Sequence, residues 1–149
     1  MEETEDNTIR EPIGRVMGNL GRMFLANLHK QLAHLDIERS YFPLLVIEAG
    51  NGNLSQQELA CKLSCDKVQV VRIIDYLSTN GYVSRGQNPE DRRKCNLELT
   101  EKARRYLPDI KKALQQTNLV SLNYLSEEKI NELYSILKTI ENNLADNTK

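Results

Sequence analysis

Residues 55–81 read SQQELACKLSCDKVQVVRIIDYLSTNG, and this stretch decides the fold. It holds two helix starts of the same kind. In Ser55-Gln56-Gln57-Glu58 the serine oxygen suits a free backbone N–H three residues on, and the glutamate can reach back to the serine's own N–H. Asp66-Lys67-Val68-Gln69 repeats that logic with aspartate and glutamine. The first start opens a short helix with Leu59, Ala60 and Leu63 inward. The second opens a helix to about Asn80, where Gly81 is the expected left-handed stop. Two short helices joined by about three residues make a helix-turn-helix.

The second helix divides cleanly at about 100° per residue. Val70, Ile73, Ile74 and Leu77 cluster on one side and are expected in the core. Val68, Arg72, Asp75 and Thr79 fall roughly opposite, with Lys67 and Gln69 flanking the helix start. The exposed face therefore offers Lys67, Val68, Gln69 and Arg72 in its first two turns. These side chains suit a major groove: Arg matches guanine O6 and N7, Gln matches adenine N6 and N7, and Val packs on a thymine methyl. Asp66 reads mainly as a cap. Asp75 lies three residues after Arg72, so the two are expected to pair and hold the arginine extended.

Downstream, Tyr82–Gly86 and Cys95–Leu99 read as short strands, with Cys95, Leu97 and Leu99 on one face by the period of two. Between them lies a polar, basic hairpin tip, Gln87-Asn88-Pro89-Glu90-Asp91-Arg92-Arg93-Lys94. An arginine at such a tip suits a narrow minor groove, and Asp91 is placed to orient Arg93. Thr100 caps a long helix carrying Pro108, which is expected to kink it. Ser126 caps a last helix whose Ile130, Leu133, Leu137, Ile140 and Leu144 follow a 3-4-3-4 seam. Upstream, Val16, Leu20, Met23, Phe24, Leu28, Leu32 and Leu35 make an amphipathic helix from Pro12 to Leu35. Ser40 is expected to cap a short helix, Tyr41 to about Ala49, which Gly50-Asn51-Gly52 ends. The long terminal helices keep apolar faces that a partner subunit would cover. Val16, Leu20, Leu133, Leu137, Ile140 and Leu144 are the expected dimer contacts.

The chain has 149 residues, 40% hydrophobic and 28% charged, the balance of one soluble globular domain. No apolar run is long enough to span a bilayer. Met1 is followed by Glu2, Glu3, Glu5 and Asp6 rather than a basic and then apolar leader, so a cytoplasmic address is expected. The formal net charge of −1 hides a segregation. Residues 60–107 hold ten basic against six acidic side chains, whereas residues 1–12 hold five acids and only Arg10. A basic middle between acidic ends is an electrostatic footprint for nucleic acid.

The ordered set of motifs resembles the MarR family of bacterial winged helix-turn-helix transcriptional regulators. It is carried by Leu54–Ala60, Asp66-Lys67, Arg72–Leu77, Asn80–Arg85, Pro89–Arg93 and Leu99–Ala103, and the helix order extends it over nearly the whole chain. The resemblance implies a mainly α fold with a small β-wing. A winged helix-turn-helix over 38–104 would stand between dimerisation helices at 12–37 and 105–146, after a disordered acidic stretch, 1–11. It further implies an obligate homodimer on a pseudo-palindromic double-stranded DNA operator. Such a repressor is released when a small, often phenolic, molecule or a thiol oxidant changes the spacing of its lobes. On this pattern the DNA-binding residues are Ser55, Lys67, Val68, Gln69, Arg72, Arg85, Asp91, Arg92, Arg93 and Lys94. Asp91 and Arg93 match the family's wing Asp-x-Arg. Val68, Gln69 and Val71 stand where the family tends to place small hydroxyl residues, which bears on base preference.

The remaining residues are less informative. Cys61, Cys65 and Cys95 are too few for a disulfide framework, and His29 and His34 are too far upstream to complete a zinc site. Cys61 is expected on an exposed face, and Cys65 and Cys95 are expected to pack structurally. His29, His34, Tyr41 and Tyr106 lie near the elements that form the family's effector pocket, but their spacing specifies no ligand. No catalytic set, phosphate loop, metal site or cofactor is expected, so an enzyme is disfavoured. A thiol-responsive regulator and a protein-interaction module that has lost DNA binding are the alternative readings.

Overall fold

Both helix starts close as the spacing predicts. Glu58 N donates to Ser55 Oγ at 3.3 Å while Ser55 N donates to Glu58 Oε2 at 2.8 Å. Gln69 N donates to Asp66 Oδ1 at 2.7 Å while Asp66 N donates to Gln69 Oε1 at 3.3 Å. These boxes satisfy backbone groups that a helix start otherwise leaves open. The computed structural model describes residues 10–37, 40–88, 90–91 and 95–146. Within them the order is α1 (Ile13–Gln31), α2 (Tyr41–Ala49), β1 (Leu54–Ser55), α3 (Gln56–Lys62), α4 (Lys67–Thr79), β2 (Val83–Gln87), β3 (Cys95–Leu99), α5 (Glu101–Ser121) and α6 (Glu127–Asp146).

The ends of α3 and α4 are built alike. After α3, Ser64 takes a positive φ of 50°, Ser64 N donates to Cys61 O and Cys65 N to Ala60 O, both at 3.1 Å. After α4, Gly81 has φ 74°, Gly81 N donates to Ser78 O at 3.0 Å and Tyr82 N to Leu77 O at 2.8 Å. This paired pattern turns the chain sharply and occupies carbonyls at the helix end. Gly81 meets the left-handed requirement without the steric cost of a Cβ. Gly50, which ends α2, answers a different need: a Cβ there would stand 2.6 Å from Leu54 Cβ.

The sheet is antiparallel in the order β1-β3-β2. Leu54 pairs with Leu97, and Val83 with Leu99. β1 is an addition to the sequence expectation; at two residues it carries no periodicity of its own. Asn96 faces away from Leu97 yet is also buried, and its Oδ1 accepts from Asn88 Nδ2 at 3.3 Å.

The chain divides into two compact units, Met1–Leu114 and Gln115–Lys149. The core of the first draws on Leu28 of α1, Leu44 and Ile47 of α2, Leu59 of α3, Ile74 and Leu77 of α4, Leu97 of β3 and Ile110 of α5. Each such burial stabilises by about 1.5–3 kcal/mol relative to exposure. The predicted amphipathic helix from Pro12 ends earlier than expected, at Gln31. Leu32 and Leu35 still enter the core, but through a turn in which Leu35 N donates to Leu32 O at 2.9 Å. Ser40 occupies the N-cap position of α2 but makes no side-chain cap bond, because its ψ of 32° departs from the extended backbone that capping uses. The acidic stretch 1–11 lies outside the described residues up to position 9; Glu11 pairs with Arg15 at 2.7 Å.

The second unit holds the end of α5, a turn and α6. Leu125 N donates to Leu122 O at 3.1 Å, and Tyr124 takes φ 67°. Ser126 Oγ accepts from Lys129 N at 3.3 Å, the expected cap of α6. α5 continues through Pro108. No described helix is long and apolar enough to cross a membrane.

Candidate nucleic-acid interface

α4 separates its residues as the sequence predicts. Val70, Ile74 and Leu77 are buried and Ile73 is half-buried, while Lys67, Val68, Gln69, Arg72 and Asp75 are exposed. Val68 keeps 60% of its surface accessible although it is a β-branched aliphatic in the first turn of a well-packed helix. The first two turns of α4 therefore carry two cations, an amide and an apolar group on one open face. That mixture can donate to base edges or phosphates and also pack on a methyl group.

Two of the expected DNA-contact residues are committed to the fold. Ser55 uses its hydroxyl in the box of α3, donating from Oγ to Glu58 Oε2 at 2.7 Å. Gln69 uses one lone pair of Oε1 to accept from Asp66 N at 3.3 Å, which ties its amide to the helix start.

The expected pairing of Asp75 with Arg72 is corrected. Asp75 Oδ1 accepts from Arg85 on β2 at 2.7 Å. Arg85 approaches from an adjacent element, and the short strand holds it there, whereas Arg72 would have to fold back along its own helix. The bridge joins α4 to β2, and it occupies an arginine expected to face DNA.

At the wing, Asn88 Oδ1 accepts from Glu90 N at 2.8 Å and from Asp91 N at 3.3 Å, a side-chain turn that bends the chain back. Asp91 is half-buried. Arg92, Arg93 and Lys94 lie outside the described residues, and with them the expected Asp91–Arg93 pair.

Sequence reading missed a polar hub on the first unit. Asp36, in the turn after α1, accepts from Tyr82 Oη and from Lys102 Nζ, the latter at 2.7 Å, and its carbonyl accepts from Tyr76 Oη at 3.3 Å. Lys102 Nζ also donates to Asn80 O at 2.8 Å and stands 4.4 Å from the centre of the Tyr82 ring. The bond from Lys102, then that from Tyr82, holds the Asp36 carboxyl below its ordinary range. Burial, and next the bond to Asp36, pushes the Tyr82 phenol up. The hub ties the ends of α1 and α4 and the starts of β2 and α5 to one carboxylate. No local motif signals it, because its members are far apart in sequence.

The other expected residues fall as follows. Cys61 is exposed, as expected, and Cys65 is half-buried. With Lys67 and Val70 they line part of a cleft of about 470 Å³ at the elbow between α3 and α4. The expected structural packing of Cys95 is corrected: it is exposed, because β1 pairs only with Leu97 and Asn96 and stops short of it. Val16, Leu133 and Ile140 are half-buried, and Leu20, Leu137 and Leu144 are exposed. His34 Nε2 lies 3.2 Å from Asp109 Oδ2, and Tyr41 Oη 3.5 Å from His29 Nδ1, so these groups are tied to neighbours. No group of three or more His, Cys, Asp or Glu suited to a metal occurs among the described residues.

Comparison with known proteins agrees with this architecture. Residues 37–95 match the model of the MarR family. A MarR-family transcriptional regulator from Listeria monocytogenes, solved with a 26mer DNA, is 27% identical. It superposes with a TM-score of 0.82 over 93% of this chain and 92% of that one. A MarR transcriptional regulator from Methanosarcina mazei is 27% identical with a TM-score of 0.75, covering 90% and 96%. The transcriptional regulator SlyA, at 24% identity, shares the fold with a TM-score of 0.82 over 92% and 96%.

Proposed function

We propose that this chain, a member of the MarR family by its residues 37–95 and its fold, is a dimeric, sequence-specific DNA-binding repressor. The observation that carries this reading is the division of α4, whose apolar side is buried while Lys67, Val68, Gln69 and Arg72 remain exposed. A helix held by a capping box at its start and a glycine stop at its end is rigid enough to present those groups in one geometry. Arg72 reads base edges, Lys67 meets phosphate, and Val68 packs on a thymine methyl. The wing residues Asp91, Arg92, Arg93 and Lys94 add a minor-groove contact. The two lobes of a homodimer meet successive major grooves of a pseudo-palindrome.

Release by a small molecule of the phenolic type follows the family resemblance and sets the chain apart from a constitutive DNA-binding protein. A cytoplasmic address suits a regulator of this kind, which needs no cofactor.

The test is selection of bound duplexes from a random pool at about 150 mM salt, where nonspecific binding is weak. Enrichment of an inverted repeat with half-sites about one helical turn apart is the expected result. A pool that stays unenriched overturns the reading and moves the protein-interaction module to first place.

A further inference from the structure

We propose that Asp75 is a positioning residue that sets general affinity for DNA: it holds the Arg85 guanidinium on the protein and so withholds a cation from DNA phosphates. The inference rests on the DNA-binding reading and deepens it. Two arginines have a claim on this carboxylate: Arg72, one helical turn earlier on α4, and Arg85 on β2. Asp75 takes Arg85, at 2.7 Å.

The two side chains are 43% and 56% exposed, so the bridge lies at the surface beside the open face of α4. A bridge this exposed contributes little to stability. Its larger consequence is the partition of charge. Arg72 has no ion-pair partner among the described residues and remains available to base edges. Arg85 is neutralised where an unpaired guanidinium would attract any phosphate.

Phosphate contacts raise affinity for every sequence alike and carry no sequence information. Holding back one such contact lowers affinity for the selected and the scrambled duplex alike and leaves base readout intact. Asp75 thus sets the overall affinity for DNA and its salt dependence without touching a base.

The test compares wild type, Asp75→Asn, Arg85→Ala and the double variant by fluorescence anisotropy. The probes are a labelled duplex of scrambled sequence and the selected duplex, from about 50 to 200 mM salt. Asp75→Asn should bind the scrambled duplex more tightly than wild type, with a salt slope steeper by about 0.9, the value for one additional phosphate neutralised. Its advantage should therefore shrink about 3.5-fold across that salt range. Arg85→Ala should keep the wild-type slope, and in its background Asp75→Asn should leave the slope unchanged, any gain there being only relief of repulsion from an unpaired carboxylate.

An unchanged slope in Asp75→Asn overturns the proposal. So does an equal steepening of the slope with Arg85 absent, which would mean that Arg85 supplies none of the added phosphate contact. A shallower slope in Arg85→Ala also overturns it, because Arg85 would then already lie on DNA. Wild type that binds neither duplex overturns the DNA reading itself, and this inference with it. Urea midpoints of all four proteins check folding, and Arg85→Gln replaces Arg85→Ala if the latter unfolds.

Discussion

The ammonium of Lys102 lies 2.7 Å from Asp36 Oδ2, although 66 residues separate them. This contact pins the first turn of α5 to the turn that ends α1. Because Lys102, and after it Tyr82, hold the Asp36 carboxyl below its ordinary range, the pair links stability to pH. The unfolded carboxyl titrates near about 3.9. A depressed folded value stabilises the protein above that pH, and the contribution is lost as pH falls through the folded value. Wild type should therefore lose stability below about pH 4 more steeply than Asp36→Asn. The gain at neutral pH should be about 1 kcal/mol or less, because both side chains are partly exposed. Urea unfolding of the two proteins across that range measures it, and parallel stability curves would exclude the link.

The caps give a prediction that sequence alone would get partly wrong. Ser55 and Ser40 both precede helices, but only Ser55 makes a side-chain cap bond. Ser55→Ala should cost about 1 kcal/mol, as should Asp66→Ala. Ser40→Ala should stay within about 0.5 kcal/mol of wild type. Thermal or urea melts of the three variants decide this, and equal losses at Ser40 and Ser55 would contradict the assignment.

The difference between those serines marks where sequence suffices. Capping boxes, helical stripes and a glycine stop act over three to five residues, so Ser55, Asp66, Val70, Ile74 and Gly81 reveal their roles locally. Contacts between distant elements leave no such pattern. Asp75 has a sequence neighbour of opposite charge in Arg72, yet the fold brings Arg85 to it. Asp36 gives no sign of Tyr82 or Lys102. β1 exists only because Leu54 reaches Leu97, and Cys95 is exposed because that strand ends too soon to cover it. The exposed face of α4 is legible from periodicity, whereas the commitments of Ser55 and Gln69 emerge only from their geometry.

Two arginines should separate base readout from general affinity. Arg72→Ala should relax discrimination at one base pair per half-site by about 1–3 kcal/mol. Arg93→Ala should weaken binding to most sequences by a similar factor and make the salt slope shallower by about 1 for each phosphate left unneutralised. Competition with duplexes substituted one pair at a time, repeated at several salt concentrations, distinguishes the two effects. Variants that both bind like wild type would place the DNA surface elsewhere.

The second unit argues for a partner. α6 has no buried residue, and Leu119, Val120, Tyr134, Ile136, Leu137 and Leu144 all leave a third or more of their surface accessible. Scattered exposed apolar residues are ordinary, but here they recur along one short unit. In the proposed dimer a second copy of the chain meets it through these helices and removes that surface from water. Sedimentation should then give twice the mass of one chain, and the melting temperature should rise with protein concentration. Leu137→Glu keeps a good helix former while placing a charge in the contact, so it should shift the protein toward monomer. DNA binding should weaken in step, because each monomer reaches only one half-site. A Leu137→Glu protein that stays dimeric would move the interface away from the seam of α6.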